Sequence, residues 1–352
     1  MRMLALIILG VWQIIFFAPV ANAQMLDRGY FRVSPDSRKF ALIFGGAGAD
    51  ETYQTRFRRW TLKLSEVLAR DYGYAPGHIT LLLGRGDPKV PEIFGPCRRD
   101  TILAAMDRLQ KKVQPGDQIG FFFIGHGTSD DRDAKFVVAG PDITGADFAA
   151  RLQAFSNQDV IVVNTTGSGY PFCGSLAAAG RVIVCATRSA AERYDTIFPR
   201  FFLEGLDNHT ADRDKNRRVS MLEAFGYASQ KVNKWYVDQG RLPSEHATIN
   251  DNGDGRFHTY LDPAEEEGRL AEIAYLDTIM ASLPESAVGG PAPEILRRLY
   301  AEAQELERSV MLLRNRKRAM GEKDYWQQLE PLLIDLARTN RQLKSLEAAL
   351  DR

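Results

Sequence analysis

The sequence predicts an α/β protein with a mostly parallel sheet flanked by helices, followed by a C-terminal α-helical hairpin. Short, continuous apolar runs alternate with longer segments that carry apolar residues at helical spacing. Such runs are typical of strands that are buried on both faces of a parallel sheet. After residue 293, apolar residues recur every three or four positions over two long segments, which predicts two helices packed along a seam.

The composition is that of an ordinary folded protein. The 352 residues, 45% of them hydrophobic, suffice for one large core and an appendage. The 45 Lys and Arg residues balance 45 Asp and Glu residues, which argues against nucleic-acid binding through a broad basic surface. The three Cys residues are too few for a disulfide scaffold or a paired-cysteine metal site.

Residues 1–23 have the pattern of a signal peptide. A basic start and a short apolar run precede the small-residue site Ala21-Asn22-Ala23. We expect cleavage before Gln24, export to the periplasm or medium, and no membrane span in the mature chain. The alternative is an uncleaved anchor, because the apolar run approaches the length that crosses a bilayer. In an oxidising compartment Cys173 and Cys185 could pair, and the sequence does not choose.

The α/β domain is predicted over residues 38–262, after a spacer at 24–37. Its first strand is Phe40–Phe44, which a Gly-rich loop and a helix over 55–72 follow. Further elements are strands at 78–83, 118–124, 159–163 and 181–186 and a helix over 100–113. Because helices separate the first strands, their connections are crossovers and the sheet is parallel.

The rest of the chain is predicted to be helical. Asp262-Pro263-Ala264-Glu265 is a helix start, which predicts a connecting helix over 263–283. A linker at 284–293 precedes the hairpin 294–352, which turns at Gly321. The seam residues are Leu299, Ala303, Leu306, Val310, Leu313, Tyr325, Leu329, Leu332, Leu336, Thr339, Leu343 and Leu346. The coiled-coil-like hairpin either packs only on itself or pairs with a second copy or another protein. The opposite edge, with Tyr300, Leu312 and Leu333, needs cover from the α/β domain or from another chain.

His126 is the first candidate catalytic residue. It lies between Gly125 and Gly127 at the carboxyl end of a predicted strand, where catalytic residues of open α/β sheets collect. The glycines leave its ring and the adjacent backbone N–H groups approachable. The alternative is a His with a structural role.

The next strand ends in Asn164-Thr165-Thr166-Gly167-Ser168-Gly169, a turn that either presents a nucleophile beside His126 or is merely Gly-rich. Together these two strand ends resemble the caspase-like fold of legumain-type cysteine peptidases of the caspase clan. Exported bacterial relatives are similar in continuing with Val-Ile-Val-x-Ala-Thr-Arg-Ser, Ser-Glu-His and Asn-Gly-Asp-Gly segments, which are present here. The resemblance covers about residues 38–262.

The resemblance implies a cysteine endopeptidase with His126 as the dyad imidazole and Gly127 as an oxyanion-hole N–H donor. The family motif reads Glu-Ala-Cys-x-Ser-Gly, and Thr166 stands where its nucleophile should be. An alcohol is a weak nucleophile unless a base is well aligned with it. We therefore expect a pseudopeptidase that keeps a cleft for a peptide or protein ligand.

The alternative is an active endopeptidase that uses His126 with Thr166, Ser168 or Cys173 as the nucleophile. Two arginines, Arg56 and Arg188, follow strands in regions that line the substrate-binding pocket in the family. A solvated surface position is the other interpretation for each.

Segment 212–223 has the spacing of an EF-hand calcium loop. The candidate ligands are Asp212, Asp214, Asn216, the backbone carbonyl of Arg218, Ser220 and Glu223. The sixth position, usually Gly because φ is positive there, is Arg217, which costs on the order of 1 kcal/mol. Calcium is the one cofactor that the sequence suggests, and none is required. The alternative is an Asp-capped helix.

A second acidic turn, 250–255, repeats the first, third, fifth and sixth positions of such a loop. Leu261 stands where the twelfth-position Glu would be. The sequence therefore supports calcium less strongly here, and the alternative is a hairpin turn.

Overall fold

A seven-stranded sheet forms the centre of the computed structural model, which describes residues 29–130, 133–261, 267–283 and 292–350. Its strands are β1 Lys39–Gly45, β2 Ile79–Leu83, β3 Ile93–Gly95, β4 Gln118–Ile124, β8 Asp159–Asn164, β9 Arg181–Cys185 and β10 Thr248–Asn250. The strand order is β10-β9-β8-β4-β1-β2-β3, and only β10 runs antiparallel to its neighbour. A small antiparallel sheet contains β5 Gly127–Ser129, β6 Ala134–Phe136 and β7 Ile143–Thr144. The predicted signal peptide lies outside the described residues.

Helices cover both faces of the central sheet. Their bounds are α1 Glu51–Arg70, α2 Arg99–Gln110, α3 Gly145–Leu152, α4 Tyr170–Gly174, α5 Phe198–Leu206, α6 Met221–Asp238, α7 Arg269–Ile273, α8 Ile279–Ser282, α9 Ala292–Arg316 and α10 Glu322–Leu350. Alternate residues of β1 point to opposite faces, so Ile43 joins the core under α1, α5 and α6 while Phe44 joins the core under α2, α3 and α4. This arrangement confirms the predicted fold class. None of the helices described is long and apolar enough to cross a membrane.

The prediction of one connecting helix over 263–283 is wrong in its described part. Residues 267–283 contain the short helices α7 and α8, and the segment 274–278 between them is not helical. The carbonyl of Tyr275 accepts hydrogen bonds from Lys39 Nζ at 2.6 Å and Gln118 Nε2 at 2.9 Å. Asp277 forms a buried ion pair with Arg218. These contacts require a backbone carbonyl that is not used in a helical hydrogen bond and a buried carboxylate, so they override the local helix signal.

The C-terminal helical pair is confirmed. Helices α9 and α10 bury apolar side chains of the predicted seam, among them Ala303, Leu313, Tyr325, Leu329 and Leu343. Thr339, which fills the gap in the seam, is buried and donates to Glu302 Oε1 at 3.2 Å.

Helix α9 also packs on the α/β domain. Of the three residues predicted to need cover, Leu312 contacts the core of the α/β domain. Tyr300 instead packs within the helical pair, and Leu333 of α10 is 44% exposed. The guanidinium of Arg308 donates twice to the carbonyl of Tyr30, at 2.6 and 3.0 Å. The first helix of the pair is therefore part of the domain's own packing.

Candidate functional site

His126 and Thr166 each lie two residues beyond the carboxyl end of a strand, and the two strands are neighbours. Phe123 of β4 pairs in register with Asn164 of β8, so the two chain segments leave the sheet side by side. A Cβ atom built on Gly127 would lie 2.5 Å from Oγ1 of Thr166. The fold thus brings His126, Gly127 and Thr166 together, and only glycine fits at position 127.

A carboxylate holds the imidazole of His126. Nδ1 of His126 lies 3.2 Å from Oδ1 of Asp195. Tyr53 hydrogen-bonds to the same carboxylate, which raises the pKa of Tyr53. The rings of Tyr53 and Phe57 meet the imidazole edge to face, with centroids 4.7 and 4.9 Å away. These contacts fix the ring orientation and direct Nε2 away from Asp195.

Nε2 of His126 is buried and has no hydrogen-bond partner within the described residues. Thr166 does not supply one, because its hydroxyl donates to Oδ1 of Asn164 at 2.8 Å. The backbone N–H of Thr166 donates to the same oxygen at 3.0 Å. An amide oxygen is too weak a base to activate an alcohol. In this arrangement the Thr166 side chain stabilises the turn.

The other two candidate nucleophiles are also engaged. The hydroxyl of Ser168 donates to the carbonyl of Ala190 at 3.0 Å. Cys173, on α4, is fully buried beside Cys185, and burial raises the pKa of its thiol well above the ordinary value. A buried, protonated thiol is inert because the thiolate is the reactive form. All three cysteines are free thiols in this structure.

A cleft of about 910 Å³ opens beside Asp195. Four arginines line it, namely Arg56, Arg59, Arg200 and Arg241. Aromatic rings line it as well, from Trp60, Tyr194, Trp235 and Tyr236. Among the described residues, none of these arginines forms an ion pair with a carboxylate. The cleft therefore presents net positive charge between aromatic surfaces.

Of the two arginines that the resemblance assigns to the substrate pocket, Arg56 lines the cleft and packs 5.2 Å from the ring centroid of Tyr53. Arg188 is not among the described residues that line it, and instead pairs with Glu192 at 3.3 Å. Sequence reasoning missed Asp195, although it is one of only two acidic residues in the loop 186–197. It also missed Arg59, Arg200 and Arg241, which no local motif connects.

The loop 212–223 gathers carboxylates as its spacing predicts. The ligand atoms of Asp212, Asp214 and Glu223 lie within 4.8 Å of one another. Burial raises the pKa of Asp214, and the nearby charge of Glu223 adds to this effect. Arg217 has φ +68°, the left-handed conformation for which such loops usually have Gly.

The same groups also serve the start of helix α6. Ser220 and Glu223 form a capping box, in which Glu223 N donates to Ser220 Oγ at 3.2 Å and Ser220 N donates to Glu223 Oε2 at 2.9 Å. Asn216 Oδ1 accepts the backbone N–H of Arg218 at 2.8 Å. The side chain of Arg218 points to Asp277, so only its carbonyl is available to a cation. A capped helix and a calcium loop both fit these contacts.

No family model matches this chain, and no curated protein matches its sequence. Among solved structures, it is similar to a protein from Geobacter sulfurreducens, with 11% identity and a TM-score of 0.41 over 65% of this chain and 97% of that chain. It is also similar to the Drosophila initiator caspase Dronc, with 11% identity and a TM-score of 0.43 over 65% of this chain and 85% of that chain. The function of the site therefore has to follow from the geometry described above.

Proposed function

We propose that this protein is an exported, caspase-like relative of the legumain-type peptidases that has lost thiol catalysis and binds a peptide segment in its cleft. The observation that carries the proposal is the state of the nucleophile position. Thr166 is 1% exposed and donates its hydroxyl to Asn164, and the thiol of Cys173 is buried and protonated. Neither group is a nucleophile in this arrangement.

The ligand that the cleft suits is an acidic peptide segment. Guanidinium groups recognise carboxylates with paired hydrogen bonds, and Arg59, Arg200 and Arg241 form no ion pair or hydrogen bond with a carboxylate among the described residues. The aromatic rings of Trp60 and Trp235 add surfaces on which apolar parts of a peptide can pack. Binding and catalysis are separable here, because Thr166 is not among the residues that line the cleft.

The test is binding and digestion of labelled peptides by the purified chain. We expect a peptide rich in Asp and Glu to bind, its Asn and Gln counterpart to bind at least tenfold more weakly, and mass spectrometry to find neither cleaved. The double variant Arg200→Ala, Arg241→Ala should weaken binding of the acidic peptide at least tenfold. Arg298→Ala, at an exposed ion pair on α9, is the matched control and should change nothing. Equal affinity for both peptides would contradict the acidic preference.

A second candidate function is hydrolysis with an alcohol nucleophile, and the Asp195–His126 pair favours it. A carboxylate on Nδ1 with Nε2 free is the arrangement that lets His act as general base toward a hydroxyl. Thr166 would have to turn its hydroxyl from Asn164 to Nε2 of His126. Peptide cleavage by the wild-type chain that His126→Ala and Thr166→Ala both abolish would establish this function and refute the pseudopeptidase.

A further inference from the structure

Three oxygen atoms converge on the side-chain amide of Asn250, the last residue of β10. Nδ2 of Asn250 lies 3.2 Å from Oδ1 of Asn252, 3.1 Å from Oδ1 of Asp254 and 2.8 Å from the carbonyl oxygen of Arg256. A carboxamide nitrogen carries two hydrogens and cannot serve three acceptors fully. The turn therefore directs more oxygen atoms to one point than this donor can satisfy.

The carbonyl oxygen of the same amide, by contrast, has no hydrogen-bond donor. Oδ1 of Asn250 is buried without a hydrogen-bond partner among the described residues, and the residue is 0% exposed. A buried polar atom without a partner calls for a physical explanation, of which a bound ion is one. A half-turn of the carboxamide exchanges its oxygen and nitrogen. Oδ1 then joins the oxygens of Asn252, Asp254 and Arg256, Nδ2 takes the place that Oδ1 leaves, and a cation at this point would balance the four oxygens.

A second oxygen without a hydrogen-bond donor belongs to Glu267, which contacts the residue after Asn250. Glu267 is 5% exposed, and its Oε1 accepts the backbone N–H of Asp251. Its Oε2 has no hydrogen-bond partner within the described residues and lies 4.0 Å from Nε2 of His258. A buried carboxylate oxygen without a hydrogen-bond donor is stabilised by a cation beside it.

We propose that Asn250, Asn252, Asp254, the carbonyl of Arg256 and Glu267 bind one divalent cation of the calcium class. The donors are all oxygen, which is the ligand type that calcium prefers. This site shares no residue with the loop 212–223.

The backbone of the turn has the shape that such a site needs. Gly255, the sixth residue counted from Asn250, has φ +78°, and calcium loops use Gly at that position for the sharp turn. Gly253 has φ +76°, and a Cβ there would lie 2.4 Å from the backbone N of Ala179. In the proposed site, Glu267 takes the role of the twelfth-position ligand that Leu261 cannot supply.

The test changes the charge of two proposed ligand side chains and measures the effect on calcium affinity. Asn250→Asp adds a negative charge where Asp254 already points, so in a chelator its melting temperature should fall several degrees below that of wild type. Calcium at about 10 mM, near the weak limit of extracellular sites, should reverse the order of the two melting temperatures. Calorimetric titration with calcium should give at least tenfold tighter binding for Asn250→Asp and at least tenfold weaker binding for Asp254→Asn. The exposed Asn157→Asp is the matched control and should change neither quantity.

The variant Asp212→Asn distinguishes calcium binding at this site from calcium binding at the loop 212–223. When Asp212→Asn is combined with Asn250→Asp, calcium should still raise the melting temperature. If Asn250→Asp melts alike in chelator and in calcium, the proposal is overturned. It is also overturned if Asp212→Asn removes all calcium binding while Asp254→Asn removes none.

Discussion

Oδ1 of Asp195 lies 3.2 Å from Nδ1 of His126, and Asp195 also lines the arginine-rich cleft. One carboxylate therefore orients the imidazole and borders the surface where we propose that a peptide binds. A bound acidic ligand would place its charge close to Asp195, and the arginines of the cleft would offset the resulting repulsion. Asp195 therefore connects the site formed by His126, Gly127 and Thr166 to the cleft.

The first prediction concerns Thr166→Cys. A thiol at this position lies beside Gly127 and cannot replace the strong hydroxyl hydrogen bond to Asn164, so it is free to meet Nε2 of His126. We expect a peptide-like thiol-reactive probe to label residue 166 in this variant, and His126→Ala in the same background to slow labelling at least tenfold. Wild type should remain unlabelled, because burial raises the pKa of the Cys173 thiol well above its ordinary value, whereas a thiol at position 166 has the imidazole of His126 beside it. Mass spectrometry locates the adduct, and a wild-type adduct on Cys173 would contradict the interpretation.

The second prediction concerns pH and Glu245. Burial raises the pKa of Glu245 to about 7, although its oxygens accept the backbone N–H groups of Ile197 and Phe198. The folded state then binds a proton that the unfolded state has released above about pH 4.5. The free energy of unfolding should therefore fall as pH rises from about 4.5 to 7, by at most about 3 kcal/mol from this group. Urea titrations across this range should show a shallower fall for Glu245→Gln, and an unchanged profile would count against the assignment.

The third prediction concerns calcium at the loop 212–223. Arg217 has positive φ, so Arg217→Gly should stabilise the fold by about 1 kcal/mol even in a chelator. Calcium should raise the melting temperature of wild type and raise that of Arg217→Gly further, by linkage. Glu223→Gln should remove only the part of the calcium effect that this loop contributes, and the rise due to the site at Asn250, Asn252 and Asp254 should remain. A wild-type melting curve that about 10 mM calcium leaves unchanged would argue that the loop only caps helix α6.

The fourth prediction concerns the outer face of α10. Leu333 and Ile334 are each 44% exposed, and Trp326 is 52% exposed. If the helical pair joins two copies of this chain, Leu333→Glu with Ile334→Glu should dissociate the oligomer in light scattering without lowering the melting temperature. A monomeric wild-type chain would exclude pairing with a second copy and leave two alternatives, in which the hairpin packs only on itself or pairs with another protein.

The sheet was predictable from sequence because its strands are buried on both faces and so read as continuous apolar runs. His126 and Thr166 were predictable for the same reason, since each directly follows such a run. The arginines of the cleft were not predictable from sequence. Arg59, Arg200 and Arg241 lie far apart in the chain, and only the packing of α1, α5 and the end of α6 brings them together. The connecting helix failed because local capping signals carry no information on the partner of Asp277, which is Arg218.

Both edge strands of the central sheet are only three residues long, β3 at Ile93–Gly95 and β10 at Thr248–Asn250. A short edge offers few unpaired backbone groups to an incoming strand, which limits sheet extension and fibrillar aggregation. Strand addition from a neighbouring molecule is therefore disfavoured at either end. We therefore expect association with a neighbouring molecule to use side-chain surfaces such as the outer helices.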